Sequence, residues 1–375
     1  MRATRYVALS LLVVLSLALL LQGTLPLVTT GSWTPASNLA EARSGSAAAL
    51  LQDGRVLFTG GTGSTGTLAS AELFNTDGSV TSAAPMQDAR SNHTAVTLQD
   101  GRVLVAGGTT SGGGMTNAAE IYDPASNSWT PVAGGMTAPR SNHTASLLKD
   151  GTVLIAGGQS TTGALNSLEI YDPAAGAFVA LTSGILSSAR QDHAAAVLAD
   201  GRVLIAGGSD GSTSLNSTDI FDPAIGSIAP GPAMASARVG LSATTLLDGK
   251  VLLAGGNSGS ADLSTAEIYD SSSIAISATG GLATPRRDHL ALLLPHNNGV
   301  LIAGGSSAGA QLASAELFYP WTGAFTATGA MASPRTAAGG AALKQDGYLL
   351  VAGGSDGTNP LASTELYGFA TVKTD

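Results

Sequence analysis

A pair of adjacent glycines recurs along the chain at nearly constant spacing, and each pair follows a mainly apolar run. Successive pairs are 47, 50, 50, 48, 49 and 49 residues apart. The pairs are Gly60-Gly61, Gly107-Gly108, Gly157-Gly158, Gly207-Gly208, Gly255-Gly256, Gly304-Gly305 and Gly353-Gly354. A period of about 20 to 50 residues indicates a repeat architecture, in which each unit buries its apolar face only against its neighbours.

Each repeat begins with an arginine, followed by a strand-like run and an Asp-Gly or Asn-Gly step. Such a step between apolar runs is a strong hairpin signal, because a type I′ turn needs positive φ at both central residues. An acidic residue then follows the glycine pair by 11 or 12 residues and begins a third strand, as in Glu120–Pro124. The arginines are Arg43, Arg90, Arg140, Arg190, Arg238, Arg286 and Arg335. The acids are Glu72, Glu120, Glu169, Asp219, Glu267, Glu316 and Glu365.

An Asp-Pro turn and, nine residues beyond the acid in most copies, a large apolar residue such as Trp129 indicate a fourth strand. Four short antiparallel strands in about 50 residues form one blade of a β-propeller. Seven copies therefore predict an all-β, seven-bladed propeller over residues 31–375, with repeats that start near residues 43, 90, 140, 190, 238, 286 and 335.

The last repeat lacks its fourth strand, because Thr374 stands where a large apolar residue is expected. The segment Gly31–Arg43 contains Trp33 and Leu39 in the order typical of a fourth strand and the residues after it. We expect a strand around Ser32–Ala36 to complete the last blade, since this closure removes an open sheet edge.

The order Arg, Asp-Gly, apolar-Gly-Gly, Glu-x-Tyr-Asp-Pro and late Trp resembles the kelch repeat over about residues 32–375. The resemblance implies protein or carbohydrate binding. It also implies the architecture of the central domain of galactose oxidase. The copper site of that enzyme uses a linked Tyr–Cys pair, and this chain has no cysteine. We therefore expect neither a cofactor nor a metal.

The first 30 residues resemble an export signal. Arg2 and Arg5 precede an apolar run, and Val7–Val28 is an uncharged stretch long enough to span a bilayer. No A-x-A-like cleavage site follows, so a cleaved signal peptide and an uncleaved anchor through residues 7–28 both stay open. Either alternative predicts an exported protein that is secreted, periplasmic or on the cell surface.

Composition narrows the classes of partner. The formal net charge is −9, without a basic cluster, and this argues against nucleic-acid binding. The absence of cysteine excludes disulfides and thiolate chemistry. We expect a monomeric propeller whose partner is an unidentified protein or glycan.

The seven arginines and seven acids invite two interpretations. One is a ring of general acids or a basic mouth; the other is a structural ladder of buried Arg–acid pairs. Repetition favours the ladder, because a scaffold needs the same part in every blade whereas a site needs asymmetry. The sequence nominates no catalytic residue.

Histidines stand three residues after the opening arginine in four repeats, and an Asn or Asp precedes each of them. These residues are His93, His143, His193, His289, Asn92, Asn142, Asp192 and Asp288. One hypothesis is a ligand site at the mouth of the central channel, on the face with the loops after the glycine pairs. The alternatives are a hydrogen bond from each histidine to a neighbouring blade, and a metal site.

Three functions are compatible with these patterns. The first is a binding or interaction module, the second a structural component of the envelope or surface, and the third a cysteine-free sugar-modifying enzyme at the channel mouth. The short, regular, weakly charged loops favour the binding module.

Overall fold

Strands of two to five residues make up the computed structural model, which describes residues 31–182, 184–295, 297–343 and 347–369. Over these residues the strands form seven four-stranded antiparallel sheets. This arrangement confirms the predicted all-β propeller with seven blades. The predicted export segment, Asp346 of the last Asp-Gly step, and Thr374 lie outside the described residues. No helix in the described ranges is long and apolar enough to cross a membrane.

In blades 1 to 6 the four strands follow in chain order from the innermost to the outermost. Blade 1 contains Ala47–Leu50, Val56–Thr59, Ala71–Phe74 and Val80–Ala83. Blade 2 contains Thr94–Thr97, Val103–Ala106, Ala119–Asp123 and Ser128–Pro131. Blade 3 contains Thr144–Leu147, Val153–Ala156, Leu168–Asp172 and Ala177–Ala180. Blade 4 contains Ala194–Val197, Val203–Ala206, Thr218–Asp222 and Ser227–Pro230.

The remaining blades have the same plan. Blade 5 contains Ser242–Thr245, Val251–Ala254, Ala266–Asp270 and Ala275–Ala278. Blade 6 contains Leu290–Leu293, Val300–Ala303, Ala315–Tyr319 and Ala324–Thr328. Blade 7 contains Gly339–Ala342, Leu349–Ala352 and Thr364–Gly368, and its fourth strand is Ser32–Pro35.

The core lies between adjacent blades. The second strand of each blade, such as Val103–Ala106, is buried along its whole length, which explains why it is a continuous run of apolar residues instead of an alternating one. One cluster joins Leu104 and Ile121 of blade 2 to Val153 and Tyr171 of blade 3. Each blade therefore depends on its neighbours for burial of its faces.

The N-terminal strand closes the ring. Ser32–Pro35 pairs with Thr364–Gly368 and places Trp33 opposite Tyr367, with the two ring centroids 5.1 Å apart. The indole Nε1 of Trp33 donates to the carbonyl of Gly329 at 2.7 Å, which ties blade 7 to blade 6. The innermost strand of blade 7 also contacts that of blade 1. These contacts confirm the predicted closure.

The connections divide between two faces. We call one the turn face; it carries the turns between strands one and two and between strands three and four of each blade. We call the other the Gly-pair face; it carries the loops after the glycine pairs and the segments leading to the arginines. Three of these loops fold into small two-stranded hairpins. Their strands are Thr62–Gly63 with Gly66–Thr67, Gln159–Ser160 with Gly163–Ala164, and Ser306–Ser307 with Ala310–Gln311.

Candidate functional site at the channel mouth

The arginine and the acid of each repeat form a buried ion pair. All seven arginine side chains are buried, and each Nη2 lies between 2.5 and 2.9 Å from a carboxylate oxygen of the acid in the same blade. Nη1 donates to the carbonyl of the first glycine of the pair, as from Arg140 to Gly157 at 2.7 Å. The guanidinium thus joins strand two to strand three within its blade.

The acids also hold the segment that leads into each blade. The second carboxylate oxygen of Glu169 accepts the backbone N–H of Thr137 at 2.8 Å, and Glu120 accepts that of Gln87 at 2.7 Å. Burial lowers the pKa of Arg140, and the Glu169 carboxylate opposes this shift. Because these charges are paired and buried, the geometry places the ladder in the scaffold and not at a surface open to substrate.

The glycine pairs lie where neighbouring blades approach most closely. Gly107 has a φ of +67°, and an added Cβ would lie 2.4 Å from the carbonyl oxygen of Arg140 in blade 3. The N–H of Gly108 donates to that same carbonyl at 2.8 Å. Both positive φ and lack of space require glycine here.

The four histidines lie in the seams between blades instead of the open channel mouth. His93, His143 and His193 are buried, and His289 is half-buried. Each Nε2 shares a hydrogen bond of 2.8–3.0 Å with a hydroxyl of the preceding blade. The hydroxyl partners are Thr59, Thr94, Thr144 and Ser242, in chain order.

These rings are neutral at physiological pH. Burial, reinforced by the neighbouring arginines, lowers the pKa of His93, His193 and His289 to about 3. It lowers the pKa of His143 well below its ordinary value. The geometry therefore differs from the channel-mouth hypothesis for these four side chains and matches the alternative of a hydrogen bond to the neighbouring blade.

A sequence signal for this role exists, although single-repeat spacing does not reveal it. Three of the four partner hydroxyls belong to the first residue of the first strand of the preceding blade. In blade 4 this first residue is Ala194, which has no hydroxyl, and blade 5 has Leu241 in place of a histidine; the two side chains belong to one apolar cluster. Blade 1 has Ala47 in the same place, and Thr59 supplies the hydroxyl instead. The other six blades have alanine at the position of Thr59. Comparison of adjacent repeats thus identifies the pairs.

The residues before the histidines form the true rim of the channel. Seven residues, two after each arginine, have left-handed backbone with φ between +51° and +64°. They are Gly45, Asn92, Asn142, Asp192, Gly240, Asp288 and Ala337. In six of them the N–H donates to the carbonyl of the equivalent residue in the preceding blade at 2.8–3.2 Å; for Gly45 of blade 1, the preceding blade in the ring is blade 7. The exception is Ala337. We call this circle of hydrogen bonds the rim belt.

Polar side chains on the rim belt are available to a ligand. Within the described part of the chain, the amides of Asn92 and Asn142 and the carboxylate of Asp192 make no hydrogen bond or ion pair, and all three side chains are half-buried or exposed. Asp288 lies 3.8 Å from Nε of Arg287. Burial, followed by the charge of Asp288, raises the pKa of Asp192 to about 6. No group of three His, Asp or Glu side chains suited to a metal occurs among the described residues.

A cavity of about 710 Å³ opens on the turn face. It lies between the turn-face ends of blades 7, 1, 2 and 3 and is lined by Leu50, Phe74, Thr97, Leu147 and Tyr348, among others. This location differs from the sequence-based expectation, which placed ligand contacts on the Gly-pair face. The position of such a cavity depends on how strand ends meet across the ring, which no single repeat encodes.

Comparison with known proteins agrees with this geometry. A family model described as the KLHDC2/KLHL20/DRC7 Kelch-repeats domain matches residues 45–256, more than half of the chain. The chain belongs to the kelch-repeat family. A kelch propeller suggests a protein-interaction module. A search of curated proteins found no match.

Solved structures share the kelch propeller architecture. One is a fungal alcohol oxidase of the AA5 family in complex with copper, 18% identical, with a TM-score of 0.74; the match covers 91% of this chain and 76% of that one. Another is YjhT, 17% identical, with a TM-score of 0.60 and coverage of 78% and 99%. Identities this low carry the fold alone. The copper belongs to the oxidase, and this kelch chain has no cysteine for a Tyr–Cys cofactor.

Proposed function

We propose that this kelch propeller is exported and binds a protein or a carbohydrate at the channel mouth on the Gly-pair face. The observation that carries the proposal is the set of unpaired polar side chains on the rim belt: Asn92, Asn142 and Asp192. The arginines, their acids and the histidines are all engaged inside the fold, whereas these three groups face no partner of the chain itself.

The rim belt supports binding because it fixes the backbone that carries these side chains. Asn142 donates from its N–H to the carbonyl of Asn92, and Asp192 donates to that of Asn142. Groups held in one geometry before binding lose less conformational entropy when a ligand arrives. Side-chain amides donate and accept, and carboxylates accept, so the rim complements sugar hydroxyls and peptide groups alike.

The loops around the mouth extend the polar surface. The loop after the glycine pair of blade 4 contains Ser209, Asp210 and Thr213, and Asp210 accepts the N–H groups of Ser212 and Thr213 at 2.7 Å. Its backbone is therefore ordered by the chain itself, while Asp210, Ser212 and Thr213 stay exposed. Hydroxyl- and amide-rich loops of this kind suit hydrogen bonding to a polar partner.

The N-terminal sequence supports the export part of the proposal. Arg2 and Arg5 precede the uncharged stretch Val7–Val28, which places the propeller outside the cytoplasm by the positive-inside rule. A fusion of residues 1–31 to alkaline phosphatase, an enzyme active only after export, tests this part of the proposal. An inactive fusion would contradict it.

Binding is tested with the full chain on a glycan array and on an array of peptides. For any ligand retained, the double variant Asn142→Ala/Asp192→Ala is expected to bind at least tenfold more weakly, since two hydrogen bonds worth about 1 kcal/mol each are lost. The matched control is Asp150→Asn, which makes the same charge change on the turn face, away from the proposed site, while an amide can keep the hydrogen bond to the N–H of Thr152. Equal affinity of the rim variant and wild type, or equal losses in variant and control, would reject the rim as the site.

A further inference from the structure

Large apolar side chains are exposed on one part of the turn face. Five of the seven large apolar residues that are exposed in the described ranges occupy turns of blades 4 to 7. We call them the apolar arc, and they are Ile225, Leu247, Ile274, Trp321 and Tyr348. Their exposed fractions run from 39% for Tyr348 to 73% for Ile225. Exposed apolar residues gathered in this way mark an interaction surface.

The equivalent positions in other blades are polar or small. Leu247 stands directly before the Asp-Gly step, where blades 1, 2 and 3 have Gln52, Gln99 and Lys149. Those three side chains bond to the carbonyl of the same position in the next blade. The side chain of Leu247 has no donor for this hydrogen bond and is 66% exposed.

Ile274 is unusual for an isoleucine in both its backbone conformation and its exposure. It has a φ of +50° although its side chain is β-branched, and it is 52% exposed. The same position in other blades is occupied by Asn127, Gly176, Gly226 and Gly323. A strained, exposed apolar residue in place of glycine or asparagine indicates a role outside folding.

The chain enters the propeller beside this arc. The third strand of each blade runs from the Gly-pair face to the turn face, so Gly368 and its partner Ser32 lie at the turn-face edge of blade 7. Tyr348 lies against this point, since a Cβ added to Gly368 would be 2.3 Å from its ring. Trp321, in the adjacent blade 6, stacks on Tyr319 with 4.9 Å between ring centroids.

We propose that Met1–Val28 stays attached as a membrane anchor and that the apolar arc rests on the surface of the lipid bilayer. The inference builds on the proposed export and selects the anchored alternative. Val7–Val28 is long enough to cross the roughly 30 Å hydrocarbon core. Tryptophan and tyrosine favour the interface between water and lipid, and isoleucine and leucine insert just below it.

The charge on the turn face indicates which lipid the arc would meet. Internally neutral ion pairs lie on both halves of this face: Asp53–Arg55 and Asp100–Arg102 in blades 1 and 2, and Asp200–Arg202 in blade 4. Besides the pair in blade 4, the arc half carries Asp248 and a pair between Lys250 and Asp270 at 3.7 Å, so it offers no excess of positive charge for anionic lipids. The bilayer that fits is therefore zwitterionic, and the contact depends on apolar side chains.

The test uses fluorescence of the full chain in nanodiscs of phosphatidylcholine. Bromine atoms on the acyl chains quench tryptophans that touch the lipid. We expect lower emission in brominated than in unbrominated nanodiscs, and we expect Trp321→Phe to remove at least half of this quenching. The matched control is Trp129→Phe, because Trp129 lies in the fourth strand of blade 2 and its Nε1 donates to the carbonyl of Ala84; its quenching should equal that of wild type.

Two results would overturn the inference. Equal emission in both lipids, or quenching that Trp321→Phe leaves unchanged, means that the arc faces away from the bilayer, and a protein then becomes its occupant. Loss of residues 1–30 from the exported chain, seen by intact mass spectrometry, removes the anchor. In either case the glycan and peptide arrays report separately on the channel mouth, so the proposed function stands or fails by its own measurement.

Discussion

Arg140 and Glu169 meet inside blade 3 with no exposed surface on either side chain. The carboxylate also accepts the N–H of Thr137, and the guanidinium also donates to Gly157. Every blade repeats this pair, so it is the unit from which the ring is built. Removal of one member leaves the other charge buried without compensation, and this is much more costly than the loss of an exposed pair.

Glu169→Ala is therefore expected to lower the free energy of unfolding by roughly 3–5 kcal/mol. Urea denaturation followed by circular dichroism measures this value. The control is Asp88→Ala, whose carboxylate lies 3.7 Å from Arg90 with 53% of the side chain exposed. It should cost less than about 1 kcal/mol. Similar losses in the two variants would show that burial of the ladder does not contribute as argued.

The glycine pairs give a second prediction. Gly107→Ala places a Cβ 2.4 Å from the carbonyl oxygen of Arg140 at a φ of +67°, so blades 2 and 3 must separate. We expect the free energy of unfolding to fall by about 1–3 kcal/mol, which differential scanning calorimetry detects as a lower Tm. Gly112→Ala in the following loop has only one neighbour, at 4.0 Å, and should change stability by less than about 0.5 kcal/mol. An unchanged Tm for Gly107→Ala is the outcome that contradicts this account.

The sequence allowed prediction of features that each repeat carries in itself. The order of the strands, the turns and the apolar residue of the fourth strand follow from the spacing within a repeat. Trp33 could be assigned to blade 7 because the last repeat lacked a fourth strand of its own. The repeated alignment of Arg140 and Glu169 at fixed offsets likewise indicated a shared structural role. Such features are local or periodic, so pattern alone determines them.

Features that depend on contact between repeats were left open or were not predicted. For His143 the sequence left open a channel-mouth site, a metal site and a hydrogen bond to a neighbouring blade; its ring turns into the seam towards Thr94, and the direction of a side chain at a strand end is not set by spacing. The members of the apolar arc are distant in sequence, and only closure of the ring gathers Ile225 and Tyr348 on one side of the turn face. The same reason applies to the cavity beside Leu50 and Leu147.

The buried histidines predict a dependence of stability on pH. The folded state holds their pKa well below the ordinary value of 6.5, to about 3 for His93, His193 and His289, whereas unfolded histidines titrate normally. The unfolded state thus binds more protons below pH 6.5, and stability present above this pH is lost as pH falls towards 3. Each histidine contributes a slope of about 1.4 kcal/mol per pH unit in this window.

His93→Leu isolates one of these contributions, since leucine occupies the same position naturally as Leu241 and the pKa of His93 is lowered to about 3. Between about pH 4 and pH 6, urea denaturation of the variant should show a slope flatter than wild type by about 1.4 kcal/mol per pH unit. The pKa of Asp192, raised from 3.8 to about 6, acts with the opposite sign, because its folded carboxyl binds the proton more readily. Both proteins share this effect, so the difference between them reports the histidine. Parallel profiles would contradict the burial of a neutral ring.

Closure of the ring by the N-terminal strand gives the last prediction. Trp33 and Trp129 occupy the same place in blades 7 and 2, each against a tyrosine and each with Nε1 bonded to a carbonyl 2.7 Å away. Trp33→Ala and Trp129→Ala should each cost about 3 kcal/mol, near the lower end for tryptophan because both side chains are only half-buried.

The two variants should differ in where the structure opens. The strand with Trp129 is tied to its neighbour by a short turn, so its loss of contacts stays local. The strand with Trp33 meets Thr364–Gly368 only after closure of almost the entire chain, and nothing covalent holds it in place if the contacts weaken. Hydrogen exchange followed by mass spectrometry should therefore show faster exchange in Thr364–Gly368 for Trp33→Ala, beyond any change in Ala119–Asp123 for Trp129→Ala. If exchange rises equally in both strands, blade 7 gains no special dependence on its borrowed strand, and closure acts as a contact like any other.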